Sequence, residues 1–369
     1  MNTPFRYDYV GSFLRPAALK QARADFQNGA IDAEALKAVE DGAIRDLVAK
    51  QKAAGYHVIT DGEFRRSYWH LDFMWGLQGI ERRTSRTGYM FHDEETTADT
   101  AVVTGKISGE NHPFVEHFKF VKALEDENTV AKLTIPAPAQ FIEQMIMPFA
   151  LENTRKYYAD NRELAEDIAA GYKKFIADVY AAGCRNLQFD DCSWGMLVDP
   201  MACMYFGTDE KGLEAIKEQL LELNNAAISG KPDDLVINTH VCRGNFHSTY
   251  ANSGAYDGVA QTLLARENVN AYYLEFDDAR SGGFEPLAAV SGNKKVVLGL
   301  VTTKRALLEN KDGVIARIHE AAKYLPLDRL CLSPQCGFAS CEIGNKLTEE
   351  EQWAKISLIQ KVAKKVWGE

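Results

Sequence analysis

The chain has 369 residues, of which 46 % are hydrophobic and 25 % charged, with a formal net charge of −10. That balance supplies a core, and the acidic excess without a basic stripe argues against nucleic-acid binding. No apolar run reaches the ~20 residues of a membrane span, and the opening Met1-Asn2-Thr3-Pro4-Phe5-Arg6 has no signal-peptide core. These features predict a cytoplasmic protein whose seven cysteines are free thiols rather than a disulfide framework.

The first expected strand is 8–13 (DYVGSF). A helical face follows at three- and four-residue spacing, Leu36, Val39, Ile44, Leu47 and Val48, stopped at Ala53-Ala54-Gly55 and succeeded by strand 58–63 (VITDGE). Residues 64–130 read as an insertion, a hairpin with a helix. Strand 131–135 comes next. The helix–stop–strand phrase then repeats: Leu164, Ile168, Tyr172, Phe175, Ile176 and Val179 on one face, a stop at Gly183, and strand 186–191 ending in Asp190-Asp191. Strands 236–242, 271–276, 296–301 and 329–334 complete eight. A last helix, 348–367, opens with Thr348 and carries Glu351 three residues on, a capping-box pattern. Eight strands with room for helices between them predict a single (β/α)₈ barrel domain over 1–369, since no linker divides the chain.

Barrels of this kind build their sites at the C-terminal strand ends, and here those ends are polar. They carry Ser12, Asp61 and Glu63, Asp190 and Asp191, His240 and Cys242, Glu275, and Cys336. A strand-end Asp alone more often caps the next helix, and an isolated Cys such as Cys184 or Cys331 is usually a small core residue. His240 and Cys242 differ, because residues two apart on a strand share a face and this pair suits zinc. Glu275 and Cys336 would supply two more ligands, with Cys341 as the competing fourth.

The segments Asn238-Thr239-His240-Val241-Cys242, Leu274-Glu275 and Ser333-Pro334-Gln335-Cys336-Gly337 resemble the zinc-site segments of cobalamin-independent methionine synthase. So do Val10-Gly11-Ser12-Phe13, Asp61-Gly62-Glu63 and Gln188-Phe189-Asp190-Asp191, in the same order over nearly the whole chain. The resemblance implies a homocysteine S-methyltransferase in which zinc, bound by His240, Cys242, Glu275 and Cys336, holds the substrate sulfur as a thiolate. It implies that Ser12, Glu63 and Asp190 hold the amino-acid part of homocysteine, with Asp191 behind them.

Two departures bear on the methyl donor. Thr134-Ile135-Pro136-Ala137-Pro138 lacks the Trp on which the family stacks a pterin, with Trp194 as the candidate substitute; Lys304 stands where the family keeps a proton-donating His. Lys304 is then either a catalytic group beside Asp190 or a lysine paired with an acidic neighbour. A donor with a better leaving group than a methylfolate, such as a methylcobalamin or a sulfonium, free or on a partner protein, needs no such acid. The alternatives are a thiol alkyltransferase of the epoxyalkane–coenzyme M type, for which Arg15, Arg65 and Arg66 would meet a sulfonate, and a non-catalytic zinc-binding barrel.

Overall fold

Helix boundaries follow from capping chemistry. Asp32 accepts from the Ala35 amide at the start of helix Ala33–Ala53, and Asp160 accepts from the Glu163 amide at the start of helix Asn161–Ala181. Each satisfies a first-turn N–H that has no partner within the helix. Gly55 and Gly183 follow these helices with φ of 78° and 98°, a left-handed conformation that glycine adopts without a Cβ clash. Thr348 and Glu351 form the capping box of helix Glu349–Trp367.

The computed structural model describes residues 4–368; Met1, Asn2 and Thr3 of the leader reading lie outside the described residues. The strands in chain order are β1 (Val58–Ile59), β2 (Gln78–Thr84), β3 (Asp99–Ser108), β4 (Val130–Ala131), β5 (Leu133–Pro136), β6 (Asn186–Asp191), β7 (Val236–Val241), β8 (Ala271–Glu275), β9 (Lys295–Val301) and β10 (Leu330–Pro334). Strands β5 to β10 lie side by side in chain order, every pair parallel, and β1 pairs in parallel with β4. This is the α/β architecture of the (β/α)₈ class. Register levels the strand ends: Asp190 lies beside His240, which lies beside Tyr273. Side chains from neighbouring strands therefore emerge on one rim.

The expected first strand is reduced to a single bridge between Tyr7 and Leu332. The reason is that side chains take the carbonyls a ladder would use. Lys132 Nζ donates to the Tyr9 carbonyl, Gln188 Nε2 to Val10 at 2.9 Å and Thr60 Oγ1 to Gly11 at 2.8 Å. The segment still lies between β10, through Asp8 N–H to Leu332 O at 3.0 Å, and the stretch after β1, through Phe13 N–H to Gly62 O at 3.1 Å.

Residues 64–130 hold helix Leu71–Gly76, the antiparallel hairpin β2–β3 and helix Phe114–Lys122. The hairpin tip crosses to the loop after β7: His92 N–H donates to Tyr250 O at 2.8 Å, and Glu94 meets His247 at 2.6 Å and Lys346 at 2.7 Å. That crossing places aromatic side chains above the strand ends. Among the described residues no helix is long and apolar enough to cross a membrane, and all seven cysteines are free thiols.

Candidate functional site

His240 and Cys242 leave the end of β7 on one face, as period-two alternation requires. Glu275 ends β8, and Cys336 follows β10. The four are buried, and their ligand atoms all lie within 4.8 Å of one another. The two sulfurs are 3.7 Å apart. His240 Nδ1 sits 3.2 Å from the Tyr273 carbonyl, so Nδ1–H donates there and Nε2 keeps its lone pair. That Nε2 is buried without a partner, a cost that a metal ion removes.

Electrostatics set the protonation of the cluster. Both thiols stand well above their ordinary range, Cys242 first through its contact with the Cys192 thiol and Cys336 first through Cys242, with burial added. A divalent cation among them would release those protons. Burial alone would raise Glu275, but the charges of Lys304, Arg280 and Arg243 outweigh it and hold the carboxylate below its usual range. Arg280 Nη2 lies 3.0 Å from Glu275 and the Arg243 amide donates to it at 3.1 Å. Two thiols, an imidazole and a carboxylate are a donor set suited to tetrahedral zinc.

A cavity of about 540 Å³ opens beside this cluster, with Ser12, Glu63 and Asp190 among its lining. Glu63 Oε1 accepts from Thr134 Oγ1 at 2.8 Å and Arg66 Nη1 lies 3.4 Å away, while Oε2 is buried and unpartnered. Asp190 accepts from Gln188 Nε2 at 2.8 Å; burial first, then the Glu63 charge, pushes its carboxyl well above the carboxylate range. Ser12 Oγ accepts from the Ala339 amide at 3.3 Å. A Cβ at Gly337 would come within 1.9 Å of that oxygen, so a side chain there would displace the Ser12 hydroxyl. Two acidic groups facing one space resolve their repulsion by binding a cation such as an ammonium.

Other residues singled out in the sequence lie elsewhere. Asp191 points to the opposite side of β6 from Asp190, where Asn224 Nδ2 donates to it at 3.0 Å and the Ser193 amide at 3.1 Å. Trp194 is fully buried in the core. Neither lines the cavity: Asp191 because consecutive strand residues face opposite ways, and Trp194 because it sits in the short helix Ser193–Leu197, packed into the core. Lys304 Nζ donates to Asn245 Oδ1 at 3.2 Å, and its charge acts on Glu275 and Asp277. Cys341 lines the cavity but stands outside the four-residue cluster. Arg15 is spent on backbone carbonyls including those of Phe13 and Ala339, Arg65 on Glu40 and Asp41, and Arg66 on Thr134 O and Glu63. Asp61 accepts from the Glu63 amide at 2.8 Å, a turn contact that holds Glu63 at its φ of 62°.

The structure adds residues the sequence reading passed over. Cys192 lines the cavity and contacts Cys242; its position two after Asp190 was the available signal. Asn245 lines it too, donating to Gly337 O at 2.8 Å. Trp69, His70, Tyr89 and Phe91 come from the 64–130 segment, and no local pattern marks them.

Comparison with known proteins bears on the family and the fold. The profile described as the catalytic domain of the cobalamin-independent synthase matches residues 7–365. YxjH and YxjG, uncharacterized proteins of Bacillus subtilis (strain 168), are 44 % and 43 % identical to the chain, with 99 % of the chain and 95 % of each relative covered. A solved structure of a candidate vitamin-B12-independent methionine synthase from Listeria monocytogenes is 37 % identical, with a TM-score of 0.78 and 99 % of both chains covered. A B12-independent methionine synthase from Shewanella sp. W3-18-1, solved with selenomethionine, shares the fold at 20 % identity, with a TM-score of 0.73 and 98 % and 97 % of the two chains covered. The chain belongs to the cobalamin-independent synthase family, whose catalytic domain it matches over nearly its full length.

Proposed function

We propose that this chain is a zinc-dependent S-methyltransferase of the cytoplasm, a single catalytic domain that activates homocysteine, or a similar small thiol, for methylation to methionine. The observation that carries this reading is the buried meeting of His240, Cys242, Glu275 and Cys336, with His240 Nε2 unpartnered. Zinc held by these four would lower the pKa of an incoming thiol from its usual ~8.5 and keep its sulfur anionic at neutral pH. Glu63 and Asp190 receive the substrate ammonium, which lets Asp190 ionise despite burial. Ser12 Oγ, fixed by the Ala339 amide, offers a hydroxyl to the same end of the substrate. The methyl donor is a folate, a cobalamin or a sulfonium, alone or on a partner protein. The engagement of Arg15, Arg65 and Arg66 with the protein itself gives a sulfonate thiol no waiting cation.

Metal analysis tests the reading directly. The parent is expected to hold about one zinc per chain, as a four-ligand site does, and Cys336→Ser to lose most of it while keeping the fold. Homocysteine methylation is then assayed with each donor. Stoichiometric zinc in the Cys336→Ser variant would refute the ligand assignment and turn attention to Cys341.

A further inference from the structure

One layer deeper than the cavity, the interior holds polar side chains joined into a single chain of contacts. Lys132 Nζ lies 2.9 Å from Asp8 Oδ1 and 3.3 Å from Gln188 Oε1, and it also donates to the Tyr9 carbonyl. Gln188 Nε2 donates to Val10 O at 2.9 Å and to Asp190 Oδ1 at 2.8 Å. Gln188 precedes Asp190 by two residues on β6 and so shares its face. Asp8, Lys132, Gln188 and Asp190 are all buried, but of the four only Asp190 lines the cavity.

These contacts leave the Gln188 amide one orientation. Turned over, its NH₂ would face the Lys132 ammonium, and its oxygen would face the Val10 carbonyl and the Asp190 carboxylate. Three hydrogen bonds would become three repulsive contacts. Lys132 is fixed in turn by Asp8, whose other oxygen accepts from Tyr273. Asp190 therefore always meets an N–H at Oδ1. Such a bond favours the ionised carboxylate, and the Lys132 charge acts in the same sense.

We propose that Gln188 and Lys132 are positioning residues for the thiol substrate: Lys132 pins the Gln188 amide, and Gln188 holds Asp190 so that Oδ2 meets the substrate ammonium. The inference rests on the reading of Glu63 and Asp190 as the ammonium site, and it deepens that reading into a specificity. The pair selects for the amine of the substrate and is indifferent to its sulfur. Neither residue touches substrate; both act through Asp190.

The test compares homocysteine with 4-mercaptobutyrate, which lacks only the amine, by calorimetry on the full-length zinc-loaded protein. The parent is expected to prefer homocysteine. Gln188→Met, unbranched and of similar length but without the amide, should weaken homocysteine about tenfold or more, as loss of a hydrogen bond to a charged group does. Its affinity for 4-mercaptobutyrate should stay parental, and so should its zinc content. Asp8→Leu combined with Lys132→Met releases the amide without removing it, and its preference for homocysteine should fall between those of the parent and Gln188→Met. A merely structural role would weaken both thiols together. Equal loss of both, or a parental preference in Gln188→Met, overturns the inference while leaving the ammonium site in place. Should Gln188→Met not fold, the double variant decides, and a parental preference there overturns the inference. A parent that holds zinc but binds the two thiols equally refutes the ammonium site itself, and the positioning roles fall with it.

Discussion

Glu63 shows how a single residue can be fixed twice, once through its backbone and once through its side chain. The Asp61 carboxylate holds its amide in a left-handed turn, while Thr134 and Arg66 take one carboxylate oxygen and leave the other free in the cavity. Strain of this kind, a non-glycine residue at positive φ, is retained where the surroundings over-determine it. Glu63→Gln keeps the shape and removes the charge, so homocysteine affinity should fall about tenfold or more, the worth of a charge-assisted hydrogen bond. Parental affinity by calorimetry would show that the ammonium is held elsewhere. A second residue-scale expectation concerns Glu267, whose carboxyl is raised to about 8 by burial first and then by the Asp191 charge. The folded chain binds that proton more tightly than the unfolded chain, where a Glu titrates near ~4.3. Its stabilising contribution is therefore complete below that value and lost as pH rises through about 8. Glu267→Gln should flatten the fall of thermal stability over that window, and an unchanged pH profile would count against a neutral Glu267. Asp190 and Asp191 illustrate what a sequence reveals at this scale. Both were visible as a strand-end pair, but which one faces the cavity depends on the parity of the strand, and that becomes certain only when its register against β7 is known.

Elements were most legible where local chemistry alone decides them. Helices with a capping Asp or Thr and a following glycine begin and end where those residues predict, and apolar runs ending in acid became β6 or β8. The segment 8–13 was not legible as a bridge, because its carbonyls are claimed by Lys132, Gln188 and Thr60, from distant elements. The hairpin tip was similarly hidden, since its partners lie on the loop after β7 and near the last helix. Glu94 ties the tip to His247 and Lys346, and His92 stacks on Tyr250 at 5.1 Å. Loss of Glu94 should let the tip lift. Glu94→Ala is expected to speed tryptic cleavage after Arg83 or Arg86 several-fold, with zinc content unchanged. Equal cleavage rates in parent and variant would mean that the backbone contact to Tyr250 and the ring stack suffice.

Across the whole molecule, the interior is crossed by an ion pair. Lys132, between β4 and β5, reaches Asp8 at 2.9 Å with both side chains fully buried, and Tyr273 of β8 donates to the other Asp8 oxygen at 2.8 Å. Three separate parts of the chain meet at one carboxylate. Breaking such a pair by removing one partner strands a buried charge and costs about 3–5 kcal/mol. Asp8→Ala should therefore lower the thermal midpoint strongly, whereas Asp8→Leu combined with Lys132→Met should cost much less. A double variant as unstable as the single one would point to packing rather than charge as the source of the loss.

The contacts of residues 6–8 with β10 also set a clock on biosynthesis. Arg6 donates to the Leu330 carbonyl across 324 residues of sequence, so at roughly 5–20 residues per second a ribosome takes about a quarter of a minute to a minute to deliver the partner. Through that interval the nascent segment waits with its backbone unjoined. His240, Cys242 and Glu275 are synthesised during the wait, but Cys336 follows β10 itself. Sealing of the seam and completion of the four-residue cluster thus fall together, so a nascent chain lacks the complete cluster until β10 and the residues just after it have been made.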